Sequence, residues 1–455
     1  MLFDLLYFLA LIALSPWLLW RAATTGRYRR EWAAKLLGRV RLPPAQPGPV
    51  VWFHAVSVGE IHLLGTLVPA FRQRHPDWRV VVSSTTDSGL AEARRRFRDL
   101  PVIAWPFDFS WAVASALQAI APSLIVLVES ELWPNFLAAA GRRHIPVVVV
   151  NARLSPRSFR RWCRVGPSAY RFLFRYISCW AAQDGDYAWR LQQLGVPARC
   201  VHVTGSIKYD GATGLPQSLK TAHLAELLGL RPRSIPQRRA GGETAHHAEN
   251  DDAPRPLVWL AGSTHAPEEA IVLDVFARLR VRFPHLRLLL VPRHPDRFDE
   301  VARLIAARGW PWVRRSSLHS PLPEMPPVVL LDTVGELATA WGLADVGFTG
   351  GSLDGIRGGQ SMIEPAGYGV PCLFGPHVWN FRDAAQRLLE AGGAVMIHDA
   401  AELEAALTQL LSDSQRRQRM GQAARALVER QQGATARTLE LLDRVMGRSA
   451  LARAA

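Results

Sequence analysis

The chain is short of the residues that build covalent or metal-bound frameworks. It has four cysteines, Cys163, Cys179, Cys200 and Cys372, and no pair falls in a C-x-x-C spacing. Neither a disulfide scaffold nor a zinc site is indicated, and a reducing compartment fits best. No run of His, Cys and Asp has metal-ligand spacing, so no catalytic metal is expected. Lysine is scarcer still, at positions 35, 208 and 220 alone, and arginine supplies almost all the positive charge. Acids are in deficit too: 39 against 54 basic residues leave a formal net charge of +15. That balance favours anionic partners, whether nucleic acid, anionic lipid or phosphorylated substrate. A nucleic-acid-binding face would interleave aromatic and basic residues on one side. The arginines here are scattered, so no nucleic-acid partner is expected.

What is present points to a large folded protein. At 455 residues the chain exceeds what one core normally supports, which predicts two domains, and 49% hydrophobic residues exclude a disordered or fibrous chain. Residues 2–20 are almost wholly apolar, interrupted by Asp4, Ser15 and Pro16, and Arg21, Arg27, Arg29, Arg30 and Lys35 follow. A cleaved signal peptide would carry its charge before the apolar run. At about 1.5 Å per residue the segment just crosses a ~30 Å hydrocarbon layer or lies in one leaflet. Residues 1–22 are therefore expected to be a membrane anchor and 23–49 a basic linker, with the bulk of the chain on the cytoplasmic side.

Beyond the linker, short β-branched runs alternate with helical periodicity. Strands are expected at 50–56, 79–85, 102–105, 124–128, 147–151, 178–182 and 200–204, with helices such as 61–74 and 133–144 between them. Strands this apolar on both faces belong to a parallel sheet covered by helices. Residues 211–256 break the rhythm with Gly, Pro, Gln, His and Arg and read as a linker or disordered insertion. It restarts with strands at 257–261, 286–291, 328–331, 346–349 and 371–374, and helices at 402–411, 413–427 and 434–446 close the chain. The fold class is α/β: two Rossmann-like doubly wound domains, 50–210 and 257–448. Open sheets of this kind bind ligands outside the carboxyl ends of their strands, here in a cleft between the domains.

The polar residues worth singling out lie at those ends. In HAVSVGE (54–60) a strand runs through a turn into a helix, and Glu60 is either a general base or a first-turn acid complementing the helix dipole. In ESELWPN (129–135) two acids follow an apolar strand; Glu129, nearer the sheet, is the functional candidate, while one of the pair caps the helix in the alternative reading. Lys208, in GSIKYD (205–210), is a lysine at a strand end in an arginine-rich chain and suits a phosphate or developing negative charge, or is an ordinary surface residue. In the second domain Arg293 of VPRHPDR (291–297) can clamp a phosphate, and DTVGEL (332–337) brings an acid to a helix start. A glycine-rich stretch from Gly350 leads to QSMIEPA (360–366), where backbone N–H groups and the helix opening near Ser361 can meet an anion, and Glu364 can accept from ribose hydroxyls. The spacing matches neither a P-loop nor a G-x-G-x-x-G dinucleotide turn, so kinase and dehydrogenase readings lose ground.

Taken together, HAVSVGE, VESELWPNF, NARLSPRS, VTGSIKYD, GSTHAPEE, VPRHPDRF, DTVGEL, GGSL, GGQSMIEP and GPHVWNFRD, in that order along most of the chain, resemble the 3-deoxy-D-manno-octulosonic acid (Kdo) transferase family. Members add Kdo from CMP-Kdo to the lipid A precursor. The resemblance implies a GT-B fold with one N-terminal membrane anchor and an inverting transfer without metal or cofactor, CMP-Kdo being the donor substrate. It implies Glu60 as proton acceptor and Glu129 and Lys208 as the transition-state-stabilising pair. CMP contacts fall by the same match on Pro292 and Arg293, on Gly335, Glu336 and Leu337, and on Ser361, Met362, Ile363 and Glu364. The family usually carries Asn-Pro or a similar pair where this chain has Ser361-Met362, and residues 211–256 are atypical. Implied partners are CMP-Kdo, the lipid A precursor and anionic inner-membrane lipids, at the cytoplasmic face of the inner membrane. The alternative is another GT-B transferase, or an epimerase, using a UDP-sugar.

Overall fold

The computed structural model describes residues 2–25, 31–44, 47–129, 132–212, 218–230 and 255–454. The chain forms two compact units, Met1–Gly211 with Gln431–Ala455, and Ala212–Arg430.

The first unit is built on seven parallel strands: β1 (Val50–His54), β2 (Arg79–Ser84), β3 (Val102–Ala104), β4 (Leu124–Val128), β5 (Val147–Ala152), β6 (Cys179–Ala182) and β7 (Val201–Val203). Their order is β3-β2-β1-β4-β5-β6-β7. Side chains alternate across the sheet, so Val50 and Trp52 enter one core while Val51 and Phe53 enter the other. All five residues of β4 are buried, which is why that strand reads as an unbroken apolar run. The order reverses between β1 and β4, and a crevice opens at such a switch point.

The second unit repeats the plan with β8 (Val258–Thr264), β9 (Arg287–Pro292), β10 (Trp312–Arg314), β11 (Val328–Leu330), β12 (Val346–Thr349), β13 (Cys372–Phe374) and β14 (Ala394–Met396), in the order β10-β11-β9-β8-β12-β13-β14. Its switch point lies between β8 and β12. Trp259 and Ala261 face one core, Val258 and Leu260 the other. The edge strands β10 and β14 escaped the periodicity reading, being three residues long and only partly buried.

Three sequence expectations change. The stretch 211–256 is not wholly irregular: Leu219–Leu227 is a helix capped by Ser218, and Leu224 and Ala225 are buried in the core of the second unit. Residues 213–217 and 231–254 of that stretch lie outside the described residues. The closing helix, assigned by sequence to the second domain, belongs to the first unit. Ala434–Ala454 places Ala434, Leu439, Leu441, Leu442 and Val445 against Val51 and Phe53 of β1, and Asp210 caps it by accepting from Gly433 N at 2.7 Å and Thr435 N at 2.5 Å. Lys35, counted with the basic flank of the anchor, is 8% exposed and donates to Thr85 O at 3.0 Å, with Asp87 Oδ1 at 3.3 Å. Arg27, Arg29 and Arg30 lie outside the described residues.

The apolar N-terminus forms the helix Leu2–Thr25. One side docks on the first unit: Tyr7 donates to Asp108 Oδ2 at 3.0 Å, and Asp4 Oδ1 accepts from Ser110 N at 2.7 Å and Asn135 Nδ2 at 3.1 Å. Leu5, Leu6, Phe8, Leu9, Ile12 and Leu14 are each more than half exposed. Among the described residues no helix is long and apolar enough to cross a membrane.

Candidate active site

In the first unit the three residues singled out by sequence all lie at carboxyl ends of strands. Glu60 stands in the first turn of the helix Val58–Arg74, directly after β1. Its Oε2 accepts from Val56 N at 2.8 Å and its Oε1 from Ser57 Oγ at 3.0 Å, while Ser57 caps the helix by accepting from Glu60 N. This is a capping box, S-x-x-E. An ionised carboxylate offers about four lone-pair sites, so a carboxylate that caps a helix can also accept a proton. The capping and base readings are thus compatible in one side chain.

Glu129 terminates β4, next to β1 in the sheet. Its backbone is left-handed, with φ 63°, a conformation that costs a residue other than glycine roughly 1–2 kcal/mol. Its N–H donates to Val150 O at 2.9 Å. Lys208 sits in the 3-10 turn Ile207–Tyr209 beyond β7, and its Nζ lies 3.8 Å from Glu129 Oε1, both side chains about one quarter exposed. Glu131, the second acid of the motif, lies outside the described residues. The helix after it begins at Pro134 and is capped from a distance by Asp108, whose carboxylate accepts from Asn135 N at 2.9 Å and Phe136 N at 2.7 Å. Burial pushes the Asp108 carboxyl up to about 6 against the pull of those N–H groups. His54, first residue of the HAVSVGE motif, is a core residue: it stacks on Trp105 at 3.7 Å between ring centres, bonds Ser83 and Thr85, and is held by burial down to about 3.

The second unit keeps its counterpart around the β8–β12 switch point. Arg293 follows the buried Pro292 at the end of β9, is exposed, and has its backbone tied to Thr264 O at 3.0 Å. Gly335 has φ 97° and lies before the short helix Leu337–Ala340. Glu336 receives Arg315 Nη2 at 2.8 Å and the Thr333 hydroxyl, so both carboxylate oxygens are engaged within the unit. Met362 and Ile363 are 0% and 2% exposed, so what these two can offer a ligand is backbone. The helix here opens at Ile363 rather than at Ser361 and spans Ile363–Gly367. Glu364 is partly buried; burial raises its carboxyl and the Arg293 charge lowers it.

The glycine loop departs from expectation. The N–H groups of Gly351, Ser352 and Leu353 do not face an anion from outside; they are consumed by the fully buried Glu268, at 2.7, 2.9 and 3.1 Å, and its Oε2 also accepts from His265 N at 3.1 Å. Burial raises the Glu268 carboxyl, opposed by these four N–H groups. Gly350 is obligatory beside it, since a Cβ there would stand 2.6 Å from both Glu268 Oε2 and Thr264 Cα. His265 is 3% exposed, its Nε2 has no partner among the described residues, and burial first, then Arg357 and His294, hold it down to about 4. Glu268 and His265 sit in GSTHAPEE, yet composition marked neither, because a buried acid satisfied only by main chain looks like any first-turn glutamate. Among the described residues no group of three or more His, Cys, Asp or Glu could hold a metal ion.

The plan of two parallel α/β units is one that solved structures share. The chain is similar in fold to UDP-GlcNAc 2-epimerase from Neisseria meningitidis, with TM-score 0.51 and 13% identity over 84% of this chain and 99% of that one. It is similar to the same degree to Acinetobacter baumannii MurG, with TM-score 0.51 and 14% identity over 88% and 100%. Sequence narrows the class. Residues 30–211 match the family model of 3-deoxy-D-manno-octulosonic-acid transferase. The chain is 37% identical to the 3-deoxy-D-manno-octulosonic acid transferase of Bordetella pertussis over 97% of its length and 99% of that protein, and 33% identical to that of Haemophilus influenzae over 93% of both. The chain belongs to the 3-deoxy-D-manno-octulosonic acid transferase family, and it is a glycosyltransferase.

Proposed function

We propose that the enzyme works as a GT-B transferase on CMP-Kdo and the lipid A precursor, by one inverting displacement at the cytoplasmic face of the inner membrane. Glu60 takes the proton of an acceptor hydroxyl. The freed oxygen pair forms the new bond to the anomeric carbon of Kdo, and the bond from that carbon to the phosphate oxygen breaks, its electron pair leaving with CMP. Lys208, beside Glu129, stabilises negative charge that develops in the transition state, and Glu129 holds the ammonium in place. On the donor side Arg293 contacts the CMP phosphate with backbone groups of residues 335–337 and 361–364, and Glu364 accepts from ribose. The residue roles are those the family resemblance implies.

The observation that carries this reading is the approach of Lys208 Nζ to Glu129 Oε1, 3.8 Å, from two strands far apart in the sheet, beside the strand that delivers Glu60. Glu60→Gln is the direct test. Glutamine keeps an acceptor oxygen for Val56 N and places an amide donor toward Ser57 Oγ, so the substitution largely preserves the helix start while removing the base. Transfer from CMP-Kdo to the tetraacylated precursor, followed by mass spectrometry, should fall by about 10²–10⁴-fold with CMP affinity unchanged. Undiminished turnover removes Glu60 from the role. Transfer from a UDP-sugar in place of CMP-Kdo would redirect the donor assignment.

A further inference from the structure

The ends of β4, β5, β6 and β7 meet at one residue to which no role in transfer has so far been attached. Asn151 is 0% exposed and closes β5 with φ 52°, side by side with the left-handed Glu129, since Val128 and Val150 are register partners. Two adjacent non-glycine residues in the left-handed region are an uncommon expense, and backbone strain of this kind concentrates at functional sites. The β5–β6 register also shifts between Val149 and Ala152, an interval that includes Asn151.

Asn151 uses its groups to tie the strand ends together. Its carbonyl accepts from Gln183 Nε2 at 2.9 Å, at the end of β6. Its Oδ1 accepts from Ile207 N at 3.1 Å, at the start of the turn that carries Lys208. A backbone N–H only donates, so the side-chain atom facing Ile207 is the oxygen and the amide nitrogen is the other atom. That Nδ2 is buried without a partner among the described residues, a cost of roughly 1–3 kcal/mol. Few side chains meet the position's demands. Glycine takes the left-handed backbone but offers no acceptor; aspartate offers the acceptor but buries a charge; aliphatic residues offer neither.

We propose that Asn151 is a positioning residue for sugar transfer: by holding the backbone of Ile207, it sets where the Lys208 ammonium stands relative to Glu129. The inference rests on the roles proposed above for Glu129 and Lys208. Asn151 acts through them and touches no reacting atom. Without the Ile207 bond the turn shifts, and a gap already at 3.8 Å widens past useful electrostatic contact.

The test is a double-mutant cycle on the full chain, with CMP-Kdo and detergent-dispersed tetraacylated precursor as substrates. Asn151→Gly keeps the left-handed backbone and deletes the acceptor; Lys208→Ala deletes the ammonium. Lys208→Ala should lower kcat by at least ~100-fold and Asn151→Gly by at least ~10-fold, each with KM for CMP-Kdo unchanged, and the double variant should be no slower than Lys208→Ala alone. Factors that multiply, or an Asn151→Gly enzyme at full rate, overturn the inference. A general loss of folded protein lowers activity equally in both backgrounds and so gives the multiplying result. Asn151→Asp, which keeps an acceptor for Ile207 N–H at the cost of a buried charge, should lose less kcat than Asn151→Gly; equal losses count against the proposal. If Lys208→Ala itself retains full activity, it is the proposed site that fails.

Discussion

Asp108 shows how far one carboxylate reaches when it is buried. It caps the helix after the Glu129 loop, receives Tyr7 of the N-terminal helix, and has its own proton affinity raised from the ordinary 3.8 to about 6. The native state therefore binds this proton more tightly than the unfolded chain does. Its contribution to stability is greatest below the unfolded value and is lost as pH rises from about 4 to about 6. An asparagine side chain at this position cannot titrate, so Asp108→Asn should flatten the loss of melting temperature across that window; an unchanged pH profile would assign the slope to other groups. Glu268 is the matching residue of the second unit. Removing its carboxylate in Glu268→Ala strands four N–H groups at a buried site. Unfolding free energy should fall on the order of 3–5 kcal/mol and CMP affinity should weaken with it, by denaturant titration and calorimetry. A variant with a wild-type midpoint would mean that the 350–353 loop holds its own shape.

Among the elements, the helix Leu2–Thr25 leaves a row of large apolar side chains exposed. Its docked side is polar where it meets the fold, through Asp4 and Tyr7, and its outer side presents Leu5, Leu6, Phe8, Leu9 and Ile12 to solvent. Removing residues 1–20 should shift the protein from the membrane to the supernatant fraction and, because Tyr7 and Asp4 brace Asp108 and Asn135, also lower the melting temperature by a few degrees. Membrane recovery equal to that of the intact chain would refute the anchoring role. The short edge strands β10 and β14 were not legible, for a different reason. Three residues do not establish a period of two, and what makes Trp312–Arg314 and Ala394–Met396 strands is a neighbour offering a free edge.

For the whole molecule, chain order and spatial order part company at the C-terminus. Leu439, Leu441, Leu442 and Val445 are each 8% exposed or less in a core with β1, and His75 meets Asp443 at 2.8 Å. At roughly 1.5–3 kcal/mol for each large apolar side chain, ending the chain at residue 430 removes about as much as the net stability of a typical domain. The truncated protein should therefore lose protease resistance in residues 50–211; a still-resistant first unit would show that the helix is an accessory. The sequence by itself determined the two α/β sheets, twelve of their fourteen strands, and the placement of Glu60, Glu129, Lys208 and Arg293 at strand ends, since hydrophobic period and turn residues are local signals. Only the tertiary structure decided that the last helix serves the first sheet, that Glu268 occupies the loop amides expected to await a phosphate, and that Asn151 stands between Glu129 and the turn bearing Lys208. Each of those depends on which strands lie side by side, and strand order is settled by the packing of distant surfaces rather than by any stretch of residues.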